Sequence, residues 1–230
     1  MPVLTAAETE ALRISVIVAS ESVAASLPLA ILVAWLLVRG KFAGRMLLDA
    51  LVHLPLVLPP VVVGYLLLLL FGVRGPLGSW LYAHFDLRLA FTTGGAALAT
   101  AVMSFPLMVR AIRLSLEGVH PGLEEAARTL GAGPFDRFMS VTLPLMAPGI
   151  LAGAVTAFAA GLGEFGAVIT FASNIPGETR TLPLALYTAI QSANGDLAAA
   201  RFATLSIGLG ITGLIAAEFL ARRLRKRYGP

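Results

Sequence analysis

The sequence has no cysteine and few charged residues. Without cysteine, neither a disulfide framework nor a cysteine-type metal site is possible. Only 13% of the 230 residues are charged, whereas about a quarter is usual in soluble domains. The three histidines, His53, His84 and His120, are far apart and lack the spacing of metal ligands. A G-x-x-x-x-G-K-[ST] loop is also missing, so this chain is not expected to be an ATPase.

Apolar residues are abundant instead. They make up 57% of the chain, and the mean hydropathy is +0.85, while about 45–50% apolar is usual in soluble domains. A single soluble core cannot bury this much apolar surface, so most of it should face lipid. The net charge of +4 would indicate nucleic-acid binding in a soluble protein. Here the basic residues flank apolar segments, as they do in membrane proteins.

Five stretches reach the roughly 20 mostly apolar residues that a helix needs to cross the hydrocarbon. They are 13–38, 47–71, 93–113, 141–171 and 199–221. Pro59 and Pro60 predict a kink in the second span, because the proline ring removes a donor and clashes with the preceding turn. The segments 72–92 and 172–198 are predicted loops, the latter with a short helix over 184–192. The predicted fold is therefore an all-α membrane protein.

The basic residues orient these spans. With the N-terminus outside, twelve of the seventeen Lys and Arg residues fall in inside segments and five in outside segments, which is the bias of the positive-inside rule. The inside set is Arg39, Lys41, Arg45, Arg110, Arg113, Arg128, Arg137, Arg222, Arg223, Arg225, Lys226 and Arg227. The basic tail is interpreted as an anchor to lipid headgroups. We expect one membrane domain over residues 1–230, with its C-terminus and the 114–140 segment in the cytoplasm.

A short charged segment interrupts the apolar pattern between the third and fourth spans. A helix over 122–130 would place four apolar residues on one face, and Gly131 and Gly133 would supply stop positions. The four are Leu123, Ala126, Ala127 and Leu130. Such a helix can dock into a groove of a partner protein, or it can lie on the lipid surface. Periodicity alone favours neither.

The same segment resembles the EAA motif of binding-protein-dependent ABC import permeases, EAA-x3-G-x9-I-x-L-P. The matching positions are Glu125, Ala126, Ala127, Gly131, Leu143 and Pro144, with Val141 in place of isoleucine. The resemblance implies the type I ABC importer permease (MetI-like) fold and a coupling helix that seats in a groove of an ABC ATPase subunit. ATP and Mg would be bound by that partner, and no cofactor by this chain. Gly131 is expected to adopt φ > 0.

Four longer stretches are similar to the molybdate branch of these permeases. They are 47–68, 101–119, 124–138 and 161–191, together well over half of the chain. The resemblance implies two ATPase subunits, an external molybdate-binding protein and the cytoplasmic (inner) membrane of a prokaryote. Five helices can hardly enclose a gated path alone, so we expect a homodimer. Tungstate remains an alternative substrate, because it has nearly the same size and charge as molybdate. Sulfate and thiosulfate permeases resemble the chain near Gly163–Gly166 but diverge afterwards.

Polar and glycine positions within the spans are the candidates for the transport pathway or its gate. Glu164 is a carboxylate in the predicted fourth span, where it costs roughly 2.5–3.5 kcal/mol or more. Since a carboxylate would repel molybdate, a structural or gating role of Glu164 is favoured over substrate contact. A location of Glu164 near the outer surface remains an alternative. The other candidates are Phe165, Gly166, Ser104 and Thr170, with Arg110 and Arg113 at the inner mouth.

Two alternatives come from other classes of protein. A stand-alone ion-coupled carrier or channel would need a midplane ion site or inverted repeats, and the sequence shows neither. A membrane-embedded enzyme would need a convergent nucleophile–base or metal set, so no catalytic or metal-ligating residue is predicted. Co-purification with an ATPase subunit discriminates among the three classes.

The predicted topology can be tested with reporter fusions. A reporter joined after Ser79 should lie outside and one joined after Arg227 should lie in the cytoplasm, because an odd number of spans separates the two sites. Paired reporters that are active on opposite sides of the membrane check this. If both fusions report the same side, the arrangement of five spans is wrong.

Overall fold

The computed structural model describes residues 4–228, with the side chains of 217, 218 and 220–228 left out. Its elements are α1 (Ala6–Arg39), α2 (Arg45–Val57), α3 (Pro60–Phe71), α4 (Pro76–Phe85), α5 (Thr93–Glu117), α6 (Pro121–Thr129), α7 (Pro134–Arg137), a π-helical turn (Phe138–Thr142), α8 (Leu143–Leu162), α9 (Gly166–Phe171), α10 (Leu182–Ile190) and α11 (Asp196–Tyr228). No β-strand occurs among the described residues, which confirms the all-α prediction. The predicted headgroup anchor of the basic tail falls on side chains outside the described part.

Four helical segments are long and apolar enough to cross a membrane. They are α1, α5, the continuous segment Pro134–Leu162, and Asp196–Ala216 within α11. The pair α2 and α3 passes the same test jointly and is a fifth span if the two helices are taken together. The described residues thus contain four spans, or five when the sharply bent pair is counted as one, which agrees with the prediction of about five.

The bend between α2 and α3 measures 117°. Leu58 and Pro59 leave the helical conformation, with ψ values of 143° and 134°. Pro60 then begins α3, where a missing N–H costs nothing because the first turn of a helix has no internal acceptor for it. The predicted kink at Pro59–Pro60 is thus confirmed, and it is a complete break in the helix.

The predicted fourth span, 141–171, has the wrong boundaries. Its helix begins earlier, at Pro134, and ends at Leu162, and the short helix α9 follows after a break at residues 163–165. The reason for the error is that apolar residues continue on both sides of the short break, so hydropathy averaged over a span does not detect it. The predicted 72–92 loop also contains the ten-residue helix α4, whereas the helix predicted over 184–192 is confirmed as α10.

Two apolar clusters occupy opposite ends of the bundle. One joins the N-terminal halves of α1 and α5 to α3 and α9, with Phe171 fully buried. The other joins the C-terminal halves of α1 and α5 to α8, with Leu37, Ile112 and Met146 fully buried. Since the same halves of α1 and α5 meet in each cluster, these two spans run parallel, and α8 returns between the two ends.

Chain segments assigned to the same side by the charge bias do lie together. Arg39 contacts Glu124, and Asp49 contacts Arg113, at the end predicted to be cytoplasmic. At the other end, Glu8 pairs with Arg201 at 2.5 Å, and the Thr93 hydroxyl donates to the Glu178 carbonyl at 2.7 Å. The alternation of spans required by the predicted orientation is therefore present in the fold.

The crossing of α5 and α8 depends on the absence of a side chain at Gly149. A Cβ there would lie 2.1 Å from Ser115 Cβ and 3.0 Å from the Ala111 carbonyl oxygen. We expect Gly149→Ala to force these helices apart and to lower the free energy of unfolding by about 1–3 kcal/mol.

Thermal unfolding of the detergent-purified protein measures this loss. Gly208→Ala is the matched control, because no atom lies within 4 Å of a Cβ at that position. The control should unfold at or above the wild-type temperature. Equal stability of Gly149→Ala and wild type would contradict the close approach of the two helices.

Candidate functional site

The predicted coupling helix is present as α6. It begins at Pro121 after the cap residue His120, whose Nδ1 accepts a hydrogen bond from the Gly122 N–H at 3.1 Å. No residue of α6 is buried. The helix agrees with the predicted 122–130 segment to within one residue at each end.

Gly131 ends this helix in the left-handed conformation, with φ +89°. Its N–H donates to the Arg128 carbonyl at 3.0 Å, and the Ala132 N–H donates to the Ala127 carbonyl at 3.0 Å. These two bonds form a Schellman motif, which satisfies carbonyls at the helix end that would otherwise lack partners. The expected positive φ is confirmed. A Cβ at Gly131 would meet no atom within 4 Å, so the requirement for glycine comes from the backbone alone.

The EAA face of α6 points away from the rest of the described chain. Leu123 is 49% exposed and Leu130 is 88% exposed. Glu125 and Ala126 are also exposed, and Ala127 is half-buried. A small apolar face with one charge is therefore open to a partner, as docking into a groove requires.

Glu124 makes the contact that sequence reasoning missed. Its Oε1 accepts hydrogen bonds from Arg39 Nη2 at 3.3 Å and from Thr142 Oγ1 at 3.0 Å. In the sequence, Glu124 is only one of the charged residues on the polar faces of the helix. No local pattern could pair it with Arg39, which lies 85 residues away.

The second half of the motif joins α7 to the membrane-spanning helix without a loop. A π-helical turn at Phe138–Thr142 leads directly into α8, which begins with Leu143 and Pro144. Val141 and Leu143 are half-buried, and Leu143 packs against the apolar cluster at the cytoplasmic end. π-Helical turns inside helices occur frequently at functional sites. Here the turn places Thr142 toward Glu124.

The break in the fourth span positions Glu164. Its Oε1 accepts the N–H of Ala167 at 2.9 Å and so caps the first turn of α9. The next residue, Phe165, packs against Tyr187 of α10 in a tilted arrangement, with ring centroids 5.1 Å apart and an interplanar angle of 56°. Glu164 thus has a structural partner, and it lies in the break rather than inside a helix as predicted.

The two broken spans touch at their breaks. A Cβ at Gly166 would lie 2.7 Å from Pro60 Cβ, and a Cβ at Gly64 would lie 2.8 Å from Thr170 Cβ. The Thr170 hydroxyl donates to the Gly166 carbonyl at 2.8 Å. Four of the predicted pathway residues are therefore grouped around the contact between α3 and α9. They are Glu164, Phe165, Gly166 and Thr170.

Ser104 does not present its hydroxyl to a path in this structure. It is 2% exposed, and its Oγ donates to the Thr100 carbonyl at 2.9 Å within α5. The Ser104 hydroxyl is therefore engaged with its own helix in this structure, and a role in the pathway or gate stays a prediction.

The two basic residues of the inner mouth differ in their surroundings. Arg113 donates to Asp49 at 3.2 Å and to Glu117 at 2.9 Å, so two carboxylates compensate its charge. Arg110 is exposed and lines a cavity of about 470 Å³ together with Arg113, Asp49 and His53. His53 Nδ1 lies 2.9 Å from the Asp49 carbonyl oxygen, so the ring has a polar partner. Among the side chains that the structure describes, no group of three potential metal ligands occurs.

Comparisons with known proteins agree with this architecture. The family described as "Binding-protein-dependent transport system inner membrane component" matches residues 26–226. The molybdenum transport system permease protein ModB of Escherichia coli K12 is 58% identical over 227 residues, which cover 99% of each chain. The sulfate transport system permease protein CysT of the same organism is 40% identical over 197 residues, covering 86% of this chain and 70% of the relative.

A solved structure shows the same fold. A bacterial alginate ABC transporter, crystallised in complex with an alginate pentasaccharide-bound periplasmic protein, has a chain that aligns with a TM-score of 0.75 at 18% identity. The alignment covers 96% of this chain and 81% of that one. The family match over residues 26–226 and the identity to full-length relatives show that this chain belongs to the binding-protein-dependent ABC transporter permeases, the multi-pass membrane components of these systems.

Proposed function

We propose that this chain is the membrane-spanning permease subunit of an ATP-driven importer that carries molybdate across the cytoplasmic membrane of a prokaryote. The observation that carries the proposal is the 58% identity to a molybdenum permease over nearly the whole of both chains. Identity to the sulfate permease is lower and leaves almost a third of that protein unmatched. This difference favours molybdate over sulfate.

The complete importer is proposed to contain two copies of this chain, two ABC ATPase subunits and an external molybdate-binding protein. ATP and Mg are bound by the ATPase subunits. The exposed face of α6 supports docking of such a subunit, because it is small, apolar and uncovered. Closure of the paired ATPases would then move α6 and switch the path between inward and outward access.

The region around the two breaks is the proposed gate. Non-helical backbone at membrane depth is tolerated where protein covers it or where it lines a cavity, and the contact of Gly166 with Pro60 supplies such cover. Glu164 uses its carboxylate to cap α9. This role supports a gate-forming or packing function and not contact with molybdate, which its charge would repel.

Reconstitution of the full importer tests the proposal. Vesicles that contain this chain, the ATPase subunit and the binding protein should accumulate molybdate only when ATP is present. Tungstate should compete because it has nearly the same size and charge, and sulfate should compete less. Uptake without the ATPase subunit would favour the stand-alone carrier, and preferential uptake of sulfate would overturn the substrate assignment.

Substitutions in the EAA segment should separate membrane insertion from transport. Gly131→Val places a Cβ on a backbone with φ +89°, a conformation that costs about 1 kcal/mol or more for a residue with Cβ. Ala127→Leu enlarges the face offered to the ATPase. Both variants should insert normally and lose most molybdate uptake.

Vesicle uptake and pull-down of the ATPase subunit measure the two effects. Gly133→Ala is the control on the same segment, because its φ of −68° suits any residue and a Cβ there meets no atom within 4 Å. It should transport normally. Wild-type uptake by both well-expressed variants would indicate that α6 is a passive interfacial helix.

Glu164 should act on the rate of transport. Glu164→Ala removes the cap of α9, which is worth about 1 kcal/mol, and should lower the maximal uptake rate with the apparent KM for molybdate unchanged. Glu164→Gln keeps an oxygen that can accept the Ala167 N–H, so it should lose less. Initial uptake rates at graded molybdate concentrations check both. A large change in KM without a change in rate would instead indicate direct contact with the substrate.

A further inference from the structure

Two neighbouring glutamates of α6 have opposite surroundings. Glu125, which belongs to the EAA motif, is exposed. Glu124 has a side chain that is only 25% exposed, and its Oε1 is shared between Arg39 and Thr142. The first is thus available to a partner protein, while the second is engaged with this chain.

Arg39 connects Glu124 to the first span. It is the last residue of α1, and its Nη2 donates both to Glu124 Oε1 at 3.3 Å and to the Val119 carbonyl at 3.0 Å. Val119 lies in the turn between α5 and α6. The buried Nε of Arg39 has no hydrogen-bond partner among the described residues.

Thr142 connects the same carboxylate to the fourth span. It is 2% exposed and lies in the π-helical turn immediately before α8. Its hydroxyl donates to Glu124 Oε1 at 3.0 Å. One oxygen of α6 therefore contacts the ends of two membrane-spanning helices.

Among the described residues, Glu124 alone of α6 makes a side-chain hydrogen bond to another helix. The Thr129 hydroxyl donates within α6 to the Ala126 carbonyl, and His120 caps its own helix. Apolar packing does not substitute for these contacts, since no residue of α6 is buried. A cavity of about 420 Å³ beside Glu124 separates α6 from Trp35 and Pro28 of α1.

We infer that Glu124 is a positioning residue that transmits movement of α6 to α1 and α8 through Arg39 and Thr142. The inference rests on the proposed function, in which an ATPase subunit moves α6. The partly buried carboxylate accepts hydrogen bonds from two separate helices, so a movement of α6 would move both. Because no residue of α6 is buried, loss of these hydrogen bonds would allow α6 to move without the two helices. Docking would remain, because it uses exposed residues of α6 such as Glu125 and Ala126, which are not part of this contact.

The test uses the complete importer in vesicles and measures two quantities for each variant. The first is capture of the ATPase subunit, and the second is the amount of molybdate imported per ATP hydrolysed. The variants are Glu124→Ala, Glu124→Gln and Thr142→Val, with Asp136→Asn as the control. Asp136 is an exposed carboxylate of α7 whose side chain makes no hydrogen bond or ion pair with another described residue, although its backbone carbonyl accepts from Ser140.

Glu124→Ala should capture the ATPase subunit as wild type does, and its import per ATP should fall about tenfold, a coupling loss of ordinary size for linked sites. Glu124→Gln should keep more of the coupling because its amide oxygen can accept both hydrogen bonds. Thr142→Val as a single change should reduce coupling. Combined with Glu124→Ala it should cause little further loss, because both changes remove the same contact. Asp136→Asn should match wild type.

The outcomes separate this inference from the proposed function. If wild-type vesicles neither capture the ATPase subunit nor import molybdate, the proposed function is wrong. If wild type does both and Glu124→Ala keeps the wild-type ratio of import to hydrolysis, the transmitting role is wrong. If Glu124→Ala loses capture of the ATPase subunit, Glu124 acts in docking and the transmitting role is equally overturned.

Discussion

The need to satisfy backbone hydrogen bonds away from water shapes the whole molecule. In lipid an unpaired N–H or C=O costs several kcal/mol, so membrane-spanning segments are helical and interruptions must be covered by protein. The break after α8 meets this requirement within a few residues. The Gly163 and Glu164 N–H groups donate to the Ala160 and Gly161 carbonyls at 3.1 and 3.2 Å, and the Glu164 carboxylate accepts the Ala167 N–H. The Glu164 carboxyl group is therefore part of the local backbone hydrogen bonding at the break.

A second consequence is that polar side chains connect the helices mainly at the ends of the bundle. Between the ends, α5 and α8 approach through small residues such as Gly149, as is common for helices packed in membranes. At the cytoplasmic end, Glu124 and Asp49 bind arginines of other helices. Such polar contacts fix how the helix ends sit relative to one another, and a partner that binds α6 acts on this end of the bundle.

Much of this architecture could be predicted because it depends on local properties of the chain. Hydropathy located five spans, the paired prolines located the break between α2 and α3, and the glycine at 131 predicted the end of α6. The break at residues 163–165 was not predicted, because the residues on both sides of it are as apolar as the rest of the span. The surroundings of Ser104 could not be predicted either, because a serine within a span has the same sequence signature whether it faces a path or bonds to its own helix.

The sequence by itself determined that most of the apolar surface faces lipid, and it determined the approximate number of spans, the position of α6 and the family. Composition, periodicity and the EAA spacing are properties of contiguous residues. Only the tertiary structure decided which polar residues meet. The Glu124 carboxylate lies between Arg39 and Thr142, and Gly166 lies against Pro60. Each of these contacts joins residues that are distant along the chain, and whether they meet depends on how the helices pack, which no local pattern records.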